Sequence, residues 1–326
     1  MSTLKMGILG TAKIAPWAFI GPAREVEDVE VLAIASRDLE RAKQFAEKNE
    51  IPGYYGSYEE LLENLEINAV YIPLPNGIHA EWSIKALKAG KHVLCEKPLA
   101  SNAEEAQAMK DVADETGLNL TEALHYRYHP LPAQLKQLAR SGEIGDVERV
   151  EASWGSKMGE NNIRFDYDLA GGITMDYGCY LVNFLRFFTD EEPEVTNAIA
   201  EVFGEQIDTH MVADLAFPGG LAGHVESSFS TNIPEMIRII GTEGELKCEH
   251  PFLPFTGAKL EIIKGVETTR VIVDKGVTWE YQMKAFASAI ANGTPPLTGA
   301  ADAVKNMHVI DAIYEKAGLK IRGIKE

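Results

Sequence analysis

The segment Val93-Leu94-Cys95-Glu96-Lys97-Pro98-Leu99 lies where a buried strand ends and a helix is about to begin. The apolar run from His92 to Cys95 predicts the strand, and Ser101-Asn102-Ala103-Glu104 has the pattern of a capping box that opens a helix. Ligands bind at the carboxyl edge of an open parallel sheet, so Lys97 is a candidate functional residue. From position alone, a solvated loop lysine that covers apolar surface is an equally good interpretation.

Strands and helices alternate regularly around this segment. Apolar runs predict strands over residues 6–9, 29–35, 69–74, 92–95 and 119–124. The runs between them predict helices over residues 39–49, 58–65, 78–89 and 103–116, the second of which follows a capping box at residues 57–60. Such alternation is typical of βαβ units, so the first half of the chain is predicted to form a parallel sheet.

The pattern changes near residue 130, where short strands begin to dominate. After a helix over residues 132–140, strands are predicted over residues 147–154, 195–203, 211–217, 223–230, 237–240, 245–248, 260–263 and 269–273. Turn signals at 218–220 and 242–244 indicate hairpins, and helices over 278–291 and 300–317 close the chain. We therefore predict an α/β protein with a dinucleotide-binding domain over residues 1–122 and an α/β domain over residues 123–326. The second sheet is expected to be open and largely antiparallel, and the C-terminal helix is free to pack back on the first domain.

Composition and charge exclude several classes of protein. The chain has 326 residues, 45% hydrophobic and 25% charged, as expected of a soluble protein of two domains. No run of about 18 apolar residues exists, so no membrane span is expected, and the net charge of −18 argues against a nucleic-acid partner. The three cysteines lack metal-ligand spacing, and residues 1–5 carry no secretory signal, so we expect a cytoplasmic protein without a metal.

A glycine turn, Gly10-Thr11-Ala12-Lys13-Ile14-Ala15, directly follows the first predicted strand. In a dinucleotide-binding turn the first glycine permits the tight turn, and the second small residue lets the backbone approach a pyrophosphate. The third small residue lets helix and strand pack closely, and here alanine occupies the second and third positions. We predict that five residues of this turn contact a dinucleotide: Gly10, Thr11, Ala12, Lys13 and Ile14.

The tip of the second predicted strand indicates which dinucleotide binds. An acid there would hold the ribose 2′-hydroxyl of NAD, but this chain has Ser36 and Arg37, with Arg41 one helical turn further on. A hydroxyl and guanidinium groups suit a 2′-phosphate, which favours NADP. Two alternatives stay open: Asp38 is close enough in sequence to reach a ribose hydroxyl, and Arg37 is placed like a surface charge beside a helix.

A glycine pair in the second half introduces another candidate site. After Arg164 and Gly171-Gly172, the chain enters a predicted helix on which Asp176 and Tyr180 are four residues apart. Residues with this spacing share one helix face, so their carboxylate and phenol are suited to anchor hydroxyls of a polar ligand. The alternative is a tyrosine buried for its ring and an aspartate that lies near a helix start.

Together these motifs resemble those of the glucose–fructose oxidoreductase / inositol dehydrogenase (Gfo/Idh/MocA) family of NAD(P)-dependent oxidoreductases. The resemblance spans nearly the whole chain. It rests on the glycine turn, Pro73-Leu74-Pro75-Asn76 with His79, Glu96-Lys97-Pro98, Tyr126-Arg127 with His129-Pro130, and Gly171-Gly172 followed by Asp176 and Tyr180. Many members carry histidine where this chain has Tyr180. With tyrosine at this position, the chain is similar to the subgroup that contains the sugar 1-dehydrogenases and dimeric dihydrodiol dehydrogenase.

The resemblance implies a Rossmann domain that binds NADP, with NAD as the alternative, and a second domain for substrate binding and oligomerisation. A homodimer or larger homo-oligomer is therefore expected. The resemblance also implies cofactor contacts from eight positions beyond those already named at the glycine turn and the second strand: Pro73, Leu74, Asn76, His79, Glu96, Lys97, Arg127 and Arg164.

The implied reaction is hydride transfer between the nicotinamide and a sugar or related cyclic alcohol. Tyr180 would be the acid/base, Lys97 would lower the pKa of that phenol from about 10 toward neutrality, and Asp176 would orient the substrate. The best-matching reaction is oxidation of an aldose such as D-xylose or D-glucose at C1 to the lactone. Lys97 acting as the base itself is the alternative assignment.

Other functions stay open at this point. Within the same chemistry, the alternatives are trans-dihydrodiol dehydrogenase and keto-sugar reductase. Two further classes on the same scaffold are a non-enzymatic nucleotide-sensing regulator and a glycosidase that uses bound NAD. The presence of both Lys97 and Tyr180 disfavours the regulator, because a sensor has no need of a paired acid and base.

Overall fold

The computed structural model describes residues 3–204 and 206–323. Outside these residues lie Met1 and Ser2 of the predicted first domain, and Glu205 and 324–326 of the predicted second domain. The described residues form two compact units. Unit 1 holds residues up to Tyr128 together with Trp279–Val304, and unit 2 holds His129–Thr278 together with residues from Lys305 onward. The predicted domain boundary after residue 122 stays a prediction.

Unit 1 is built on a six-stranded parallel sheet. Its strands are β1 (Leu4–Leu9), β2 (Val29–Ala35), β3 (Gly53–Tyr55), β4 (Ala69–Ile72), β5 (His92–Cys95) and β6 (Leu120–Glu122). They are ordered β3-β2-β1-β4-β5-β6, and every neighbouring pair is parallel. The strand order therefore reverses between β1 and β4, and ligands of open α/β sheets bind at the carboxyl edge beside such a reversal.

Helices connect these strands as the alternation predicts. The turn after β1 leads into a π-helical turn, Pro16–Ile20, that continues as α1 (Gly21–Arg24). The following helices are α2 (Leu39–Lys48), α3 (Tyr58–Glu63), α4 (His79–Lys88) and α5 (Ala103–Thr116). The predicted parallel α/β half is confirmed, although the short strand β3 was absent from the prediction.

Side-chain caps fix where two of these helices begin. Ser57 accepts a hydrogen bond from Glu60 N at 3.2 Å, so the capping residue predicted for α3 is confirmed. The capping box predicted for α5 is displaced by one residue. Asn102, not Ser101, accepts from the backbone N–H of Glu105 at 2.9 Å, and the Glu105 carboxylate accepts from Ser101 N at 2.9 Å. Asparagine caps helices as well as serine does, so the neighbouring residue took the position.

Unit 2 contains α6 (Pro130–Arg140), α7 (Cys179–Thr189) and an eight-stranded sheet. The strands are β7 (Val147–Gly155), β8 (Glu194–Phe203), β9 (Ile207–Ala216), β10 (Ala222–Ser228), β11 (Ile233–Gly241), β12 (Glu245–Glu249), β13 (Lys259–Lys264) and β14 (Glu267–Val271). Their order is β14-β13-β12-β11-β7-β10-β9-β8, and β7 pairs with β10 in parallel while the other pairs are antiparallel. The predicted largely antiparallel open sheet is confirmed.

Burial alternates along the strands of this second sheet, as expected when one face is covered. The covered face is apolar and includes Val150, Ala152, Met211, Ala213, Val225, Ile237, Ile239 and Leu246. Helix α7 packs against β7 and β10. The residues that precede α7 form a π-helical turn, Thr174–Gly178, so Asp176 and Tyr180 lie on one continuous helical run.

The last two helices are α8 (Thr278–Asn292) and α9 (Ala300–Lys316). Met283 and Phe286 of α8 join the core of unit 1, where they lie with Met6, Ile8 and Phe19 at 1% exposure or less. Burial of each such side chain stabilises the fold by about 1.5–3 kcal/mol. This packing explains why a helix far along the sequence belongs to the first compact unit.

Candidate active site

The glycine turn lies at the carboxyl end of β1, beside the strand-order reversal. Gly10 has a φ of +105°, which L side chains rarely adopt, and its N–H donates to Ala35 O at 2.9 Å. A Cβ on Gly10 would lie 2.8 Å from Leu74 Cδ2, so a larger residue would have to displace the Leu74 side chain on the loop after β4. The other predicted contacts on this turn differ in exposure: Thr11, Ala12 and Ile14 are half-buried and Lys13 is exposed.

Two guanidinium groups gather at the tip of β2. Burial raises the pKa of the Tyr58 phenol, while the charges of Arg37 and Arg41 and a hydrogen bond with Arg37 oppose that rise. Both arginines are exposed, and Ser36 is buried beside them. Asp38 caps α2, because its carboxylate accepts from the backbone N–H of Arg41 at 3.1 Å. The acid that was the alternative contact for NAD is thus engaged by the helix, and the positive side chains remain at the tip.

The loop after β4 carries the next predicted contacts. Pro73 and Leu74 are buried, while Asn76 is half-buried and begins a 3₁₀ turn, Asn76–Ile78, that leads into α4. Asn76 is therefore the residue of this loop segment whose side chain is best placed to meet a ligand.

His79, predicted to contact the cofactor, lies in the interior of unit 1. Its ring is fully buried, with Nε2 2.7 Å from Leu74 O and Nδ1 2.9 Å from Pro98 O. Burial lowers the pKa of His79, and the charge of Lys97 acts in the same direction against the two carbonyl contacts. Because its ring nitrogens face backbone carbonyls, the imidazole joins the loops after β4 and β5, and its predicted cofactor contact stays a prediction.

Lys97 stands immediately after β5 at the same sheet edge and is half-buried. The preceding Glu96 is engaged on both oxygens, because Tyr71 Oη donates to Oε1 at 2.6 Å and Lys97 N donates to Oε2 at 3.3 Å. Burial lowers the pKa of His125 to about 3, and the charge of Lys97 contributes to the decrease. At neutral pH His125 is therefore uncharged beside the lysine.

Arg127 lies on a 3₁₀ turn, His125–Tyr128, that follows β6. Its side chain is only 7% exposed, and its Nη1 is 3.9 Å from Asp302 Oδ2 at the start of α9. This places the guanidinium beside an acid of unit 1, and its predicted cofactor contact stays a prediction.

In unit 2 the structure brings Arg164 and Asp176 together. Arg164 Nε donates to Asp176 Oδ2 at 2.6 Å, with the arginine side chain 40% exposed and the aspartate 8% exposed. Arg164 belongs to a 3₁₀ turn, Ile163–Phe165, whose first residue follows the capping Asn162. Arg164, which the resemblance predicts to bind the cofactor, thus fixes Asp176, which is predicted to orient the substrate.

Tyr180 is buried among aromatic rings. Its ring centroid lies 5.6 Å from that of Trp154 and 5.6 Å from that of Phe252. Trp154 also stacks on Tyr177 at 4.3 Å with an interplanar angle of 6°. Tyr180 is therefore packed for its ring, as the alternative interpretation expects. This packing is compatible with a functional hydroxyl, because it fixes the phenol ring on the same helical run as Asp176, one turn away.

A buried ionic network behind this helix was absent from the prediction. Asp208 of β9 accepts from Thr174 N at 2.8 Å and from Tyr314 Oη at 3.1 Å, and it pairs with Arg322 Nη2 at 2.7 Å. Both members of the ion pair are inaccessible to solvent. Gly172 has a φ of +124°, and a Cβ there would overlap the Asp208 carboxylate. The glycine pair was the sequence signal for this arrangement, but no spacing pointed to its distant partners.

Burial of this network and the contacts within it have opposite effects on the pKa of Asp208. Burial raises the pKa of Asp208, while the Arg322 charge and the hydrogen bond with Thr174 lower it. Arg322 also donates to Gly171 O at 2.8 Å, and its guanidinium carbon lies 4.2 Å from the Tyr314 ring centre. The network therefore holds the entrance to the helix that carries Asp176 and Tyr180.

In residues 3–204 and 206–323, no group of three or more histidine, cysteine or acidic side chains is arranged to hold a metal ion. Cys95, Cys179 and Cys248 are buried cysteines outside any disulfide, and burial raises the pKa of Cys248 to about 12. None of the helices in the described part of the chain has the length and hydropathy needed to cross a membrane.

The residues of unit 1 fit a dinucleotide. A left-handed glycine stands at the reversal of strand order, where a Cβ would fill the space next to Leu74. Arg37 and Arg41 supply positive charge at the strand tip where the ribose end of a dinucleotide lies in this type of fold.

Comparison with protein families agrees with this geometry. Residues 4–124 match the family model described as an oxidoreductase family with an NAD-binding Rossmann fold, and residues 133–247 match the GFO/IDH/MocA C-terminal domain. The chain belongs to the GFO/IDH/MocA oxidoreductase family. The predicted family and the nicotinamide-dependent oxidoreductase activity are thereby confirmed.

Several GFO/IDH/MocA relatives cover most of the chain. A D-xylose 1-dehydrogenase (NADP(+)) from Haloferax volcanii is 39% identical over 96% of this chain and 97% of its own. A trans-1,2-dihydrobenzene-1,2-diol dehydrogenase from Mus musculus is 33% identical over 77% of this chain and 76% of its own. Among solved structures, the 3-ketoreductase KijD10 from Actinomadura kijaniata, in complex with NADP and TDP-benzene, has a TM-score of 0.92 at 28% identity, covering 97% of this chain and 98% of its own.

Proposed function

We propose that this chain is an NADP-preferring dehydrogenase that oxidises an aldose such as D-xylose or D-glucose at C1 to the lactone. The observation that carries the proposal is the placement of Lys97 at the carboxyl edge of the nucleotide-binding sheet, held there by the engaged Glu96. Similarity to a D-xylose 1-dehydrogenase over nearly the full length of both chains supports the choice of substrate.

The cofactor is held by residues of unit 1 in this proposal. The turn at Gly10 receives the pyrophosphate, and Ser36, Arg37 and Arg41 receive the 2′-phosphate of NADP. Asn76 and Lys97 lie on the two loops that follow β4 and β5, and they contact the nicotinamide half. NADP bound there would supply the hydride acceptor for oxidation, and NADPH the hydride donor for the reverse reaction.

The proton is handled by the chain's own residues. Tyr180 Oη takes the proton of the sugar C1 hydroxyl, and Lys97 keeps the assisting role that the family resemblance implies for it. Asp176 accepts a hydrogen bond from a neighbouring sugar hydroxyl, and its ion pair with Arg164 at 2.6 Å fixes the direction in which its carboxylate points. Lys97 as the base itself stays the alternative assignment.

A second candidate is oxidation of a trans-dihydrodiol. Trp154 and Tyr177, half-buried rings of the aromatic cluster near Tyr180, favour it, because their exposed parts offer apolar surface to a cyclic diene. The dihydrodiol dehydrogenase relatives support this reading, and the 3-ketoreductase relatives support a third, reduction of a keto-sugar.

The test is a panel of substrates followed through the absorbance of the reduced nicotinamide. D-xylose, D-glucose and trans-dihydrobenzenediol are each offered with NADP and with NAD, and reduction is assayed with a keto-sugar and NADPH. Turnover of D-xylose or D-glucose with a lower KM for NADP supports the proposal. Turnover of the diol alone, or of the keto-sugar alone, selects one of the alternatives.

We also propose a homodimer or larger assembly located in the cytoplasm. The edge strand β8 exposes Ile199 at 64%, Val202 at 44% and Phe203 at 41%, which is an unusual amount of apolar surface for one edge. The buried free thiols are compatible with a reducing compartment. Sedimentation that finds only monomer at micromolar concentration would contradict the assembly, and fractionation of the source cells tests the compartment.

A further inference from the structure

Three buried polar side chains bind the short segment on which Lys97 stands. Tyr71 Oη donates to Glu96 Oε1 at 2.6 Å, His79 Nδ1 is 2.9 Å from Pro98 O, and Leu99 N donates to Glu122 Oε1 at 2.9 Å. One contact is made to the residue before the lysine and one to each of the two residues after it, and His79 donates to Pro98 O in its Nδ1–H tautomer.

The three partners come from three different elements of unit 1, and each is fixed in turn. Tyr71, on β4, is 1% exposed and stacks on Phe19 with ring centroids 4.3 Å apart. His79, on α4, is fully buried and also contacts Leu74 O at 2.7 Å. The lysine segment is therefore bound from the neighbouring strand and from the helix that follows it.

Glu122 completes the arrangement from the other side of β5. It is fully buried at the end of β6, and its backbone is held twice by Thr298, because Glu122 N donates to Thr298 O at 2.8 Å and Thr298 Oγ1 donates to Glu122 O at 2.6 Å. A carboxylate is costly to bury, so its retention on a backbone N–H points to a specific requirement for that contact.

We propose that Tyr71, His79 and Glu122 are positioning residues for Lys97. Each fixes one residue of the segment 96–99, and together they set the point from which the lysine side chain extends. The inference rests on the proposed function, in which Lys97 acts on the reacting hydroxyl. A displacement of about 1 Å at such a group lowers the rate on the order of 10²-fold. Precise placement of Lys97 therefore explains three contacts to a four-residue segment better than a gain in folding stability does.

The first test uses the smallest available change. Tyr71→Phe removes only the hydroxyl that binds Glu96 and keeps the ring stacked on Phe19, so the fold is retained. We expect kcat with D-xylose and NADP to fall about tenfold, while KM for NADP and the melting temperature change little. Tyr55→Phe is the matched control, because Tyr55 accepts from Asn64 Nδ2 at 2.9 Å on β3 at the far edge of the same sheet.

The second test asks for rescue at the histidine. His79→Leu is expected to lower kcat by about 10²-fold, and His79→Gln, which keeps a side-chain donor, is expected to recover about tenfold of that loss. Equal kcat in the two variants, or a loss of kcat that follows the loss of melting temperature in both, would indicate a merely structural residue and would overturn the proposal for His79.

A double-mutant cycle separates this inference from the proposed function. If Tyr71 acts through Lys97, then Tyr71→Phe lowers the residual kcat of a Lys97→Met variant less than twofold. A full tenfold effect in that background overturns the positioning role. If Lys97→Met itself keeps wild-type kcat, the assigned role of the lysine fails instead.

An activity-independent readout covers the case in which D-xylose is not the substrate. The rate at which acetic anhydride labels Lys97, relative to the exposed Lys48, is measured by mass spectrometry of the peptides. We expect Tyr71→Phe and His79→Leu to change this ratio by at least about threefold, since release of the segment alters the access of the amine. An unchanged ratio in both variants, with Tyr55→Phe as reference, would overturn the proposal.

Discussion

Replacement of Arg37 by alanine tests whether the tip of β2 selects NADP. A charge-assisted hydrogen bond is worth about 1.5–3 kcal/mol, and each 1.4 kcal/mol is a factor of about ten. Arg37 is exposed, and Arg41 beside Tyr58 stays in the variant, so we take the lower part of that range. A loss of about 1.5–2 kcal/mol corresponds to a rise of about ten- to thirtyfold in KM for NADP.

The assay measures initial rates with each cofactor at saturating sugar and low ionic strength. KM for NAD should change less than about twofold, because NAD has no 2′-phosphate for the guanidinium to bind. Arg24→Ala is a matched control, since Arg24 is also an exposed arginine of unit 1 but binds Asn49 O at 2.6 Å and Glu50 at 3.2 Å. Added salt should narrow the difference between wild type and Arg37→Ala, because the contact is screened.

Two results would refute this reasoning. An equal rise of KM for both cofactors would show that Arg37 is structural. An unchanged KM for NADP would show that the phosphate, if it binds here, is held by other groups. The Tyr58 phenol gives an independent check, because loss of the Arg37 charge should raise the pKa of that phenol further, as measured by ultraviolet titration.

Three further predictions concern catalysis, stability and pH. Tyr180→Phe should lower kcat by about 10²–10⁴-fold, and Lys97→Met should lower it by a similar factor. The double variant should be little slower than either single variant, and near-wild-type kcat in Tyr180→Phe would reject the role assigned to Tyr180. Gly172→Ala forces a Cβ into the Asp208 carboxylate, so thermal unfolding should show a loss of about 3–5 kcal/mol, and an unchanged melting temperature would contradict this account of the glycine. Since burial and a nearby lysine charge hold the pKa of His125 at about 3, below its usual 6.5, the unfolded chain binds a proton at acid pH that the folded chain does not. The free energy of unfolding should therefore fall as the pH drops from about 6.5 toward about 3, by up to about 1.4 kcal/mol per pH unit for this group. His125→Phe should make the melting temperature depend less steeply on pH. An equally steep dependence in the variant would exclude His125 as a cause.

Local sequence signals were sufficient for most elements of the fold. Strand β5 and helix α5 have the predicted bounds, because β5 is a short apolar run after the turn at Gly90, and α5 ends where Gly117 adopts a left-handed φ of +68°. Strand β3 escaped prediction because it is only three residues long and consists of Gly53-Tyr54-Tyr55, in which no period can be recognised. Its place in the sheet is decided by pairing with β2, which is a tertiary contact.

Candidate site residues were predictable where a single motif carries the chemistry. The turn at Gly10, the arginines after β2 and the lysine after β5 each follow a strand that the pattern already located. What the motifs could not show is how a residue is used. His79 belongs to the same recognisable segment as Asn76, yet its ring is buried against two carbonyls, and only the packing of α4 on the loop after β5 decides this.

The residues that hold the start of the helical run with Asp176 and Tyr180 illustrate why some parts of the candidate site lie beyond sequence reasoning. Asp208 and Arg322 are 114 residues apart, and neither belongs to a motif. An isolated buried ion pair is a weak source of stability, because desolvation offsets most of the attraction between the charges. Here the carboxylate also accepts from Thr174 N at the start of the helical run, and the guanidinium donates to the carbonyl of Gly171. The pair therefore fixes the backbone just before Asp176, so its retention is better explained by the geometry of the candidate site than by a gain in stability.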